Sequence, residues 1–188
     1  MSIDRLIAER IAFLRNAQQL SLAQLAERSD VSKAMISKIE RMESSPTAAV
    51  LGRLAAGLGV PLTRLLAEDE PDNRSPLRRF GIQETWQDPS TGYLRRQVAA
   101  LDEPSGTELV EIELPAGARI DYPPWHTRPH RQRLWVLEGS LEVHYGEECY
   151  QLAAGDQLDF ALDKPVSYVA NSTTQCRYLL NVLHTQKP

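Results

Sequence analysis

The sequence predicts a multi-domain α + β protein in which an all-α domain precedes an all-β domain. Two observations carry this prediction. Apolar residues repeat at helical spacing through the first 67 residues, and beyond residue 78 they alternate with polar residues in short segments. A polar, proline-containing stretch at 69–77 separates the two patterns and is predicted to be a linker. We therefore expect domains at 1–68 and 78–188.

The composition is that of a folded protein. Of the 188 residues 42% are hydrophobic and 24% are charged, which excludes the disordered and fibrous classes. No apolar run approaches the roughly 20 residues of a membrane helix, and charges interrupt the N-terminal segment where a secretory signal would be apolar. The two cysteines have no metal-binding spacing. We expect a reduced, cytoplasmic chain that engages no membrane.

The first domain is predicted to contain five short helices. Ser21, Ser32 and Thr47 are expected to cap the second, third and fourth helices, and Gly59 is expected to end the fourth. Helices this short are marginal alone, so they are expected to pack together. The apolar positions of the five stripes are Leu6, Ile7, Ile11 and Leu14; Leu22, Leu25 and Ala26; Ile36 and Ile39; Val50, Leu51, Leu54, Ala55 and Leu58; and Leu62, Leu65 and Leu66.

The segment 22–47 carries the most informative pattern, two short helices joined by a tight turn. We expect Asp30 to adopt a left-handed conformation in that turn and Val31 to fill the angle between the helices. The second of these helices is expected to bury Ile36 and Ile39. Its outward face is then slim and basic, as the major groove of DNA requires. The residues on that face are Lys33, Ala34, Ser37, Lys38 and Arg41.

Charge is distributed unevenly along the chain. Residues 1–67 hold nine arginines and lysines against six acidic residues, although the whole chain has a net charge of −4. A mildly basic first domain is compatible with a polyanionic partner. The alternative is a helical bundle whose basic face is merely solvated, or one that binds protein.

Residues 5–67 resemble the lambda-repressor-like helix-turn-helix of the XRE family, most closely in the run 31–41 and in Ser44-Ser45-Pro46-Thr47. The resemblance implies that Gln24 and Ser32 contact phosphates, that Lys33, Ala34 and Ser37 face base edges, and that Lys38 lies at the groove wall. Asp30 and Met42 depart from the family, which usually has glycine at both positions. Since one such domain covers one half-site, the resemblance also implies a homodimer on a two-fold symmetric double-stranded operator.

The second domain is predicted to be a β-sandwich or a small barrel. Alternating segments at 110–114, 134–136, 141–145, 150–152 and 158–160 are separated by glycine turns at roughly ten-residue spacing. Residues 78–185 resemble a cupin, a double-stranded β-helix barrel, chiefly in the runs that hold Glu138-Gly139 and Gly155-Asp156.

The resemblance also locates the cupin metal site. Metal-binding cupins supply two histidines and a glutamate from the first motif, and these positions hold His126, Arg128 and Gln132 here. The histidine of the second motif falls at Val166 or Ser167. A metal needs three or four ligands at fixed distance, so we predict no metal and no other cofactor at this site.

His126, Arg128 and Gln132 are predicted instead to form an effector pocket. Arg128 would bind the acid group of a small carboxylate or amino-acid-like effector, and Gln132 would hydrogen-bond to it, because a guanidinium inside a barrel calls for an anion. The alternative is that Arg128 belongs to a solvated basic loop at the barrel mouth.

These expectations favour a sequence-specific transcriptional regulator, not an enzyme, whose cupin domain dimerises and senses a small metabolite. Two alternatives stay open. One is a cupin isomerase or oxygenase that carries a DNA-targeting module. The other is a barrel that serves only to dimerise.

Overall fold

Five helices form the first unit of the chain within its described residues, 3–66. The computed structural model describes residues 3–66, 76–102, 104–125 and 130–184, and the chain divides into two units, Met1–Asp69 and Glu70–Pro188. The linker predicted at 69–77 lies outside the described residues up to position 75. No helix within the described ranges is long and apolar enough to cross a bilayer. The helices are α1 (Ile3–Ala17), α2 (Leu22–Ser29), α3 (Lys33–Glu40), α4 (Ala48–Leu58) and α5 (Thr63–Leu66).

The predicted capping residues begin and end these helices. The Oγ of Ser21 accepts a hydrogen bond from the backbone N–H of Gln24, and the side chain of Gln24 accepts one from the N–H of Ser21, which makes a capping box. The hydroxyls of Ser32 and Thr47 cap α3 and α4. Gly59 ends α4 in the left-handed conformation, at φ 66°. All four capping predictions are confirmed.

An apolar core holds the five helices together. Arg15 of α1 adds a link to α3, because its guanidinium binds both carboxylate oxygens of Glu40 at 2.7 and 2.9 Å, with both side chains largely buried. Tertiary packing therefore stabilises helices that are too short to be stable alone. The core residues that are almost completely buried include Ile7, Ile11, Leu25, Ile36, Ile39, Leu51, Leu54 and Leu65.

The second unit is built from antiparallel strands in two sheets. The six-stranded sheet has the order β1-β2-β3-β10-β5-β8, and the four-stranded sheet has the order β4-β9-β6-β7. The predicted order of an all-α part followed by an all-β part is confirmed. The strands are β1 (Thr85–Gln87), β2 (Leu94–Asp102), β3 (Thr107–Leu114), β4 (Arg119–Tyr122), β5 (His130–Glu138), β6 (Ser140–Tyr145), β7 (Glu148–Ala153), β8 (Gln157–Ala161), β9 (Val166–Ala170) and β10 (Cys176–His184).

Buried and more exposed residues alternate along the strands, so one set faces the interior of this barrel and the other its outer surface. In β3 every second residue is buried, including Glu108, whereas Glu111 and Glu113 lie on the outer face. The turn from β5 to β6 requires Gly139, because its φ is 77° and a Cβ there would lie 2.4 Å from the carbonyl oxygen of Gln175. This close turn fixes which residues of β5 and β6 point inward.

Candidate nucleic-acid interface and barrel interior

Helix α3 turns its small and basic side chains to solvent. Its two isoleucines, Ile36 and Ile39, are 0% and 1% exposed and pack into the core. The opposite face is therefore exposed to solvent and available to a ligand. The residues of this face are the exposed Lys33, Ala34 and Lys38 and the half-buried Ser37.

The turn between α2 and α3 has the conformation that the sequence predicts. Asp30 ends α2 in the left-handed region, at φ 52° and ψ 36°. Arg53 of α4 donates a hydrogen bond to the carbonyl oxygen of Asp30 at 3.3 Å. Val31 is only 5% exposed, as expected of a residue that fills the angle between two helices. The predictions for Asp30 and Val31 are confirmed.

Gln24 and Ser32, the predicted phosphate contacts, both serve as caps. Both side chains are exposed. The side chain of Gln24 accepts from the N–H of Ser21 at 2.9 Å, and the Oγ of Ser32 accepts from the N–H of Met35 at 3.2 Å. They therefore lie beside the N-termini of α2 and α3, where backbone N–H groups favour an anion.

Arg41 is held by its neighbours at the end of α3. Its guanidinium donates to both carboxylate oxygens of Glu43, at 2.7 and 3.0 Å, and to the Oγ of Ser37 at 2.8 Å. The hydrogen bond from Arg41 lowers the pKa of the Glu43 carboxyl, so the pair is charged at neutral pH. The sequence predicted that Arg41 faces outward but not that Glu43 holds it.

Of the predicted effector residues, Gln132 is the one whose position the structure describes. His126 and Arg128 lie outside the described residues. Gln132 is half-buried on β5, in phase with the buried Leu134, and its Oε1 accepts a hydrogen bond from the hydroxyl of Tyr168 at 2.5 Å. Gln132 therefore points into the barrel, and its role in an effector pocket stays a prediction.

A buried arginine that the sequence analysis did not single out lies in the same interior. Arg95 of β2 is 6% exposed, and its Nη2 lies 4.0 Å from Oε1 of the buried Glu108. Burial alone would lower the pKa of Arg95, but Tyr93 and Glu108 raise it above its ordinary value. The interior consequently holds a guanidinium that stays charged, beside the buried carboxylate of Glu108. The alternation of Tyr93, Arg95 and Gln97 was the available signal in the sequence.

Tyrosines surround this charge. The hydroxyls of Tyr122 and Tyr93 are 3.5 Å apart, and the rings of Tyr168 and Tyr178 stack with their centres 5.9 Å apart. Burial raises the pKa values of Tyr122, Tyr168 and Tyr178, so their hydroxyls stay protonated. Protonated hydroxyls beside a guanidinium can donate hydrogen bonds to an anion.

The described part of the interior does not fit the metal of the cupin enzymes. Gln132 and Val166 occupy two of the predicted ligand positions, and the amide and the aliphatic side chain are poor ligands for a divalent transition metal. Within the described ranges, no three imidazole, thiol or carboxylate groups converge inside the barrel.

Comparison with known proteins finds a family that matches most of the first unit and relatives that match nearly the whole chain. Residues 11–65 match the HTH_3 family, which is described as a helix-turn-helix. The chain is 27% identical over 97% of both lengths to the HTH-type transcriptional regulator SutR of Escherichia coli (strain K12). The crystal structure of an HTH_3 family transcriptional regulator from Vibrio cholerae is similar over 98% of both chains, with 28% identity and a TM-score of 0.80. The chain is a transcriptional regulator whose residues 11–65 form an HTH_3 helix-turn-helix domain.

Two further structures are similar to this regulator at lower identity. The Cupin_2 domain of an XRE family transcriptional regulator from Enterobacter cloacae matches half of the chain and 98% of its own length, with 22% identity and a TM-score of 0.47. A crystal structure of FeII HppE matches 97% of this chain and 100% of its own, with 15% identity and a TM-score of 0.51. At that identity the likeness to HppE shows a shared fold.

Proposed function

We propose that this regulator binds double-stranded DNA sequence-specifically by placing α3 in the major groove. The exposed, slim and basic face of α3 carries this proposal, because small side chains permit close approach and lysines reach guanine edges. In this arrangement Lys33, Ala34 and Ser37 face base edges and Lys38 lies at the groove wall. Arg41 exchanges Glu43 for a backbone phosphate.

Gln24 and Ser32 bind phosphates in the same complex. Their positions beside two helix N-termini support this role, since oriented N–H groups and side-chain donors can share one phosphate oxygen. Such contacts fix the register of α3 along the groove without reading sequence.

We propose further that the regulator works in the cytoplasm as a homodimer on a two-fold symmetric operator. One helix-turn-helix covers one half-site, and half-sites one helical turn apart need two copies held together. The cupin-like unit is the proposed dimerisation unit, because the small helical unit buries its own apolar core.

The barrel interior is proposed to bind a small carboxylate or an amino-acid-like effector. The residues that support this are Arg95 and Gln132, with tyrosine hydroxyls around them. A guanidinium binds a carboxylate through two parallel hydrogen bonds, and a dry interior strengthens that attraction. The sequence analysis gave this role to Arg128, and we now assign it to Arg95. The contribution of Arg128, which lies outside the described residues, stays a prediction.

We propose that the barrel is not catalytic. The full-length relatives named as regulators support this, and the described interior offers tyrosine, glutamine and arginine where a cupin oxygenase needs metal ligands. The competing function, an isomerase or oxygenase with a DNA-targeting module, predicts turnover of a small substrate by the purified protein.

The double variant Lys33→Ala, Ser37→Ala tests the DNA-binding proposal. We expect specific operator affinity to fall by tenfold or more, because each well-formed base contact contributes about 1–3 kcal/mol of discrimination. Electrophoretic mobility shift with a selected operator measures it, and circular dichroism checks the fold. Lys164→Ala, which removes an exposed lysine of the barrel unit, is the matched control and should leave affinity unchanged. Retained specific affinity in the double variant would show that α3 does not read the bases.

A thermal-shift screen of small carboxylates and amino acids tests the effector proposal. A ligand at about 100 times its dissociation constant stabilises the folded protein by about 2.7 kcal/mol, which raises Tm by several degrees. Arg95→Lys should abolish the shift because lysine lacks the planar fork. Arg131→Lys, on the outer face of β5 beside Asp159, should leave it unchanged. A shift that survives Arg95→Lys would place the effector elsewhere.

A further inference from the structure

A second group of potential ligands lies on the outer face of the four-stranded sheet. Glu142 and His144 belong to β6 and are separated by two positions, so both point to the outer face. Cys149 of β7 pairs directly with His144 across the hairpin. A carboxylate oxygen, an imidazole nitrogen and the Sγ of Cys149 all lie within 4.8 Å of one another.

We propose that Glu142, His144 and Cys149 bind a divalent transition metal of the Zn²⁺ class. Carboxylate oxygen, imidazole nitrogen and thiolate sulfur are the three ligand types that zinc takes, and three protein ligands leave a fourth position open to water. Tetrahedral bonding at roughly 2.0–2.3 Å separates ligand atoms by about 3.3–3.6 Å. The three ligand atoms lie within 4.8 Å of one another, and metal binding would adjust them to that spacing.

Contacts within the β6–β7 hairpin already orient the side chains of this site. Nε2 of His144 contacts Oε1 of Glu142, and the amide of Gln151 donates to Oε2 of the same carboxylate. Gln151 lies directly opposite Glu142 in the β6–β7 ladder. A residue that orients a ligating carboxylate from outside is a regular feature of metal sites. A bound metal replaces the hydrogen bond between His144 and Glu142 and keeps the one from Gln151.

The thiol distinguishes this cluster from an ordinary surface ion pair. Glu142 and His144 alone would form a pair that needs no third group. Cysteine is among the residues most often buried, yet Cys149 is exposed in a strand and is not part of a disulfide. Because Cys149 lies opposite His144, a soft thiolate sulfur lies beside a borderline imidazole nitrogen. This combination selects zinc over magnesium or calcium.

The site is distinct from the barrel interior. The side chains of Val143 and Tyr145, which alternate with Glu142 and His144, are buried, so the sheet separates the two locations. The inference is independent of the proposed effector and of DNA binding. The predicted absence of a metal concerned the interior cupin site and does not apply to this outer face.

Titration of the full-length apo-protein with Co²⁺ tests the site, because cobalt in a zinc site is visible by absorption. We expect one Co²⁺ per chain, a thiolate-to-metal charge-transfer band in the near ultraviolet, and displacement of cobalt by Zn²⁺. Cys149→Ser should abolish the charge-transfer band. His144→Gln should weaken Co²⁺ binding at least tenfold, and Gln151→Ala should weaken it by about 10–100-fold.

Two variants serve as controls. Cys176→Ala, which removes the buried cysteine, should keep the band, and Glu147→Gln, at the tip of the same hairpin, should keep the affinity. The proposal is overturned if the wild-type chain develops no thiolate band with excess Co²⁺, or if the band persists in Cys149→Ser. Cobalt bound without thiolate would likewise reject this ligand set in favour of histidines elsewhere.

Discussion

Left-handed residues shape the turns of the helical unit. Gln19, Asp30 and Met42 have φ values of 57°, 52° and 60°. Aspartate tolerates this conformation because its short side chain can bond locally, but a methionine gains nothing of the kind. The glycine that the family usually has after α3 would fit the backbone of Met42 better. Met42 is also 59% exposed, so its side chain adds little packing in return.

Met42→Gly should therefore stabilise the helical unit. We expect the free energy of unfolding to rise by about 0.5–1 kcal/mol, since relief of left-handed strain exceeds the added entropy of the unfolded chain. Urea denaturation followed by the helical circular dichroism signal measures this. Met35→Gly makes the same exchange inside α3 and should instead lower the free energy of unfolding by about 1 kcal/mol. Equal signs for the two variants would refute strain at Met42.

At the scale of the element, α3 and the turn after it form one charged surface. Arg41 contributes to this surface only when it leaves Glu43, which binds it through both oxygens. In the proposed complex, an acidic residue beside α3 also repels phosphate. The turn would thus limit affinity for DNA of any sequence and leave the proposed base contacts of Lys33 and Ala34 unaffected.

Glu43→Gln should raise DNA affinity. The change removes the charge that holds Arg41, so Arg41 gains one phosphate contact, and the slope of log affinity against log salt should become steeper by about 0.9. Fluorescence anisotropy at several salt concentrations measures the slope. Glu27→Gln removes an equivalent exposed charge from α2 and is the control. An unchanged slope in Glu43→Gln would show that Arg41 does not reach the backbone.

The helical elements could be predicted closely because their signals are local. Caps such as Ser21 and Ser32 and the stripes of apolar residues act within a few positions of the chain, so the sequence displays them directly. The face of α3 follows from the burial of Ile36 and Ile39. The ion pair between Glu43 and Arg41 was not predicted, because it depends on how the chain turns after the helix.

The sites of the barrel depend on strand register, which no local spacing reveals. Arg95 lies on a strand that the alternating pattern did not predict, and Glu108 approaches it only through the pairing of β2 with β3. Likewise Cys149 meets His144 across a hairpin, although the two residues have none of the sequence spacings typical of metal motifs. Cross-strand neighbours become visible only once the register is known.

On the scale of the whole molecule, the two units differ sharply in the groups that titrate at high pH. All six tyrosines and both cysteines of the chain lie beyond residue 92, in the barrel unit. Burial, with the hydrogen bond to Asp163, raises the pKa of Tyr145 to about 12. Burial raises the pKa of Cys176 to about 11. These groups are neutral in the folded barrel where they would ionise in an unfolded chain.

Alkali should therefore unfold the barrel before the helical unit. Above the unfolded pKa values, about 9 for cysteine and 10 for tyrosine, the unfolded chain releases protons that the folded barrel keeps until about pH 11 to 12. Stability is thus full below pH 9 and is lost as pH rises through that window. Tryptophan fluorescence reports the barrel, and helical circular dichroism reports the other unit. Simultaneous loss of both signals would contradict the expectation, and Tyr145→Phe should reduce the sensitivity of the barrel.

The division of α3 into an isoleucine face and a lysine face has a consequence for evolution. Because Ile36 and Ile39 pack into the core from the opposite face, the outward positions Lys33, Ala34 and Ser37 can change with little effect on folding. Under the proposed function, a few substitutions there after gene duplication would direct one copy to a new promoter, while its barrel would still bind the original effector. Signal and target can thus be recombined within a lineage independently of each other.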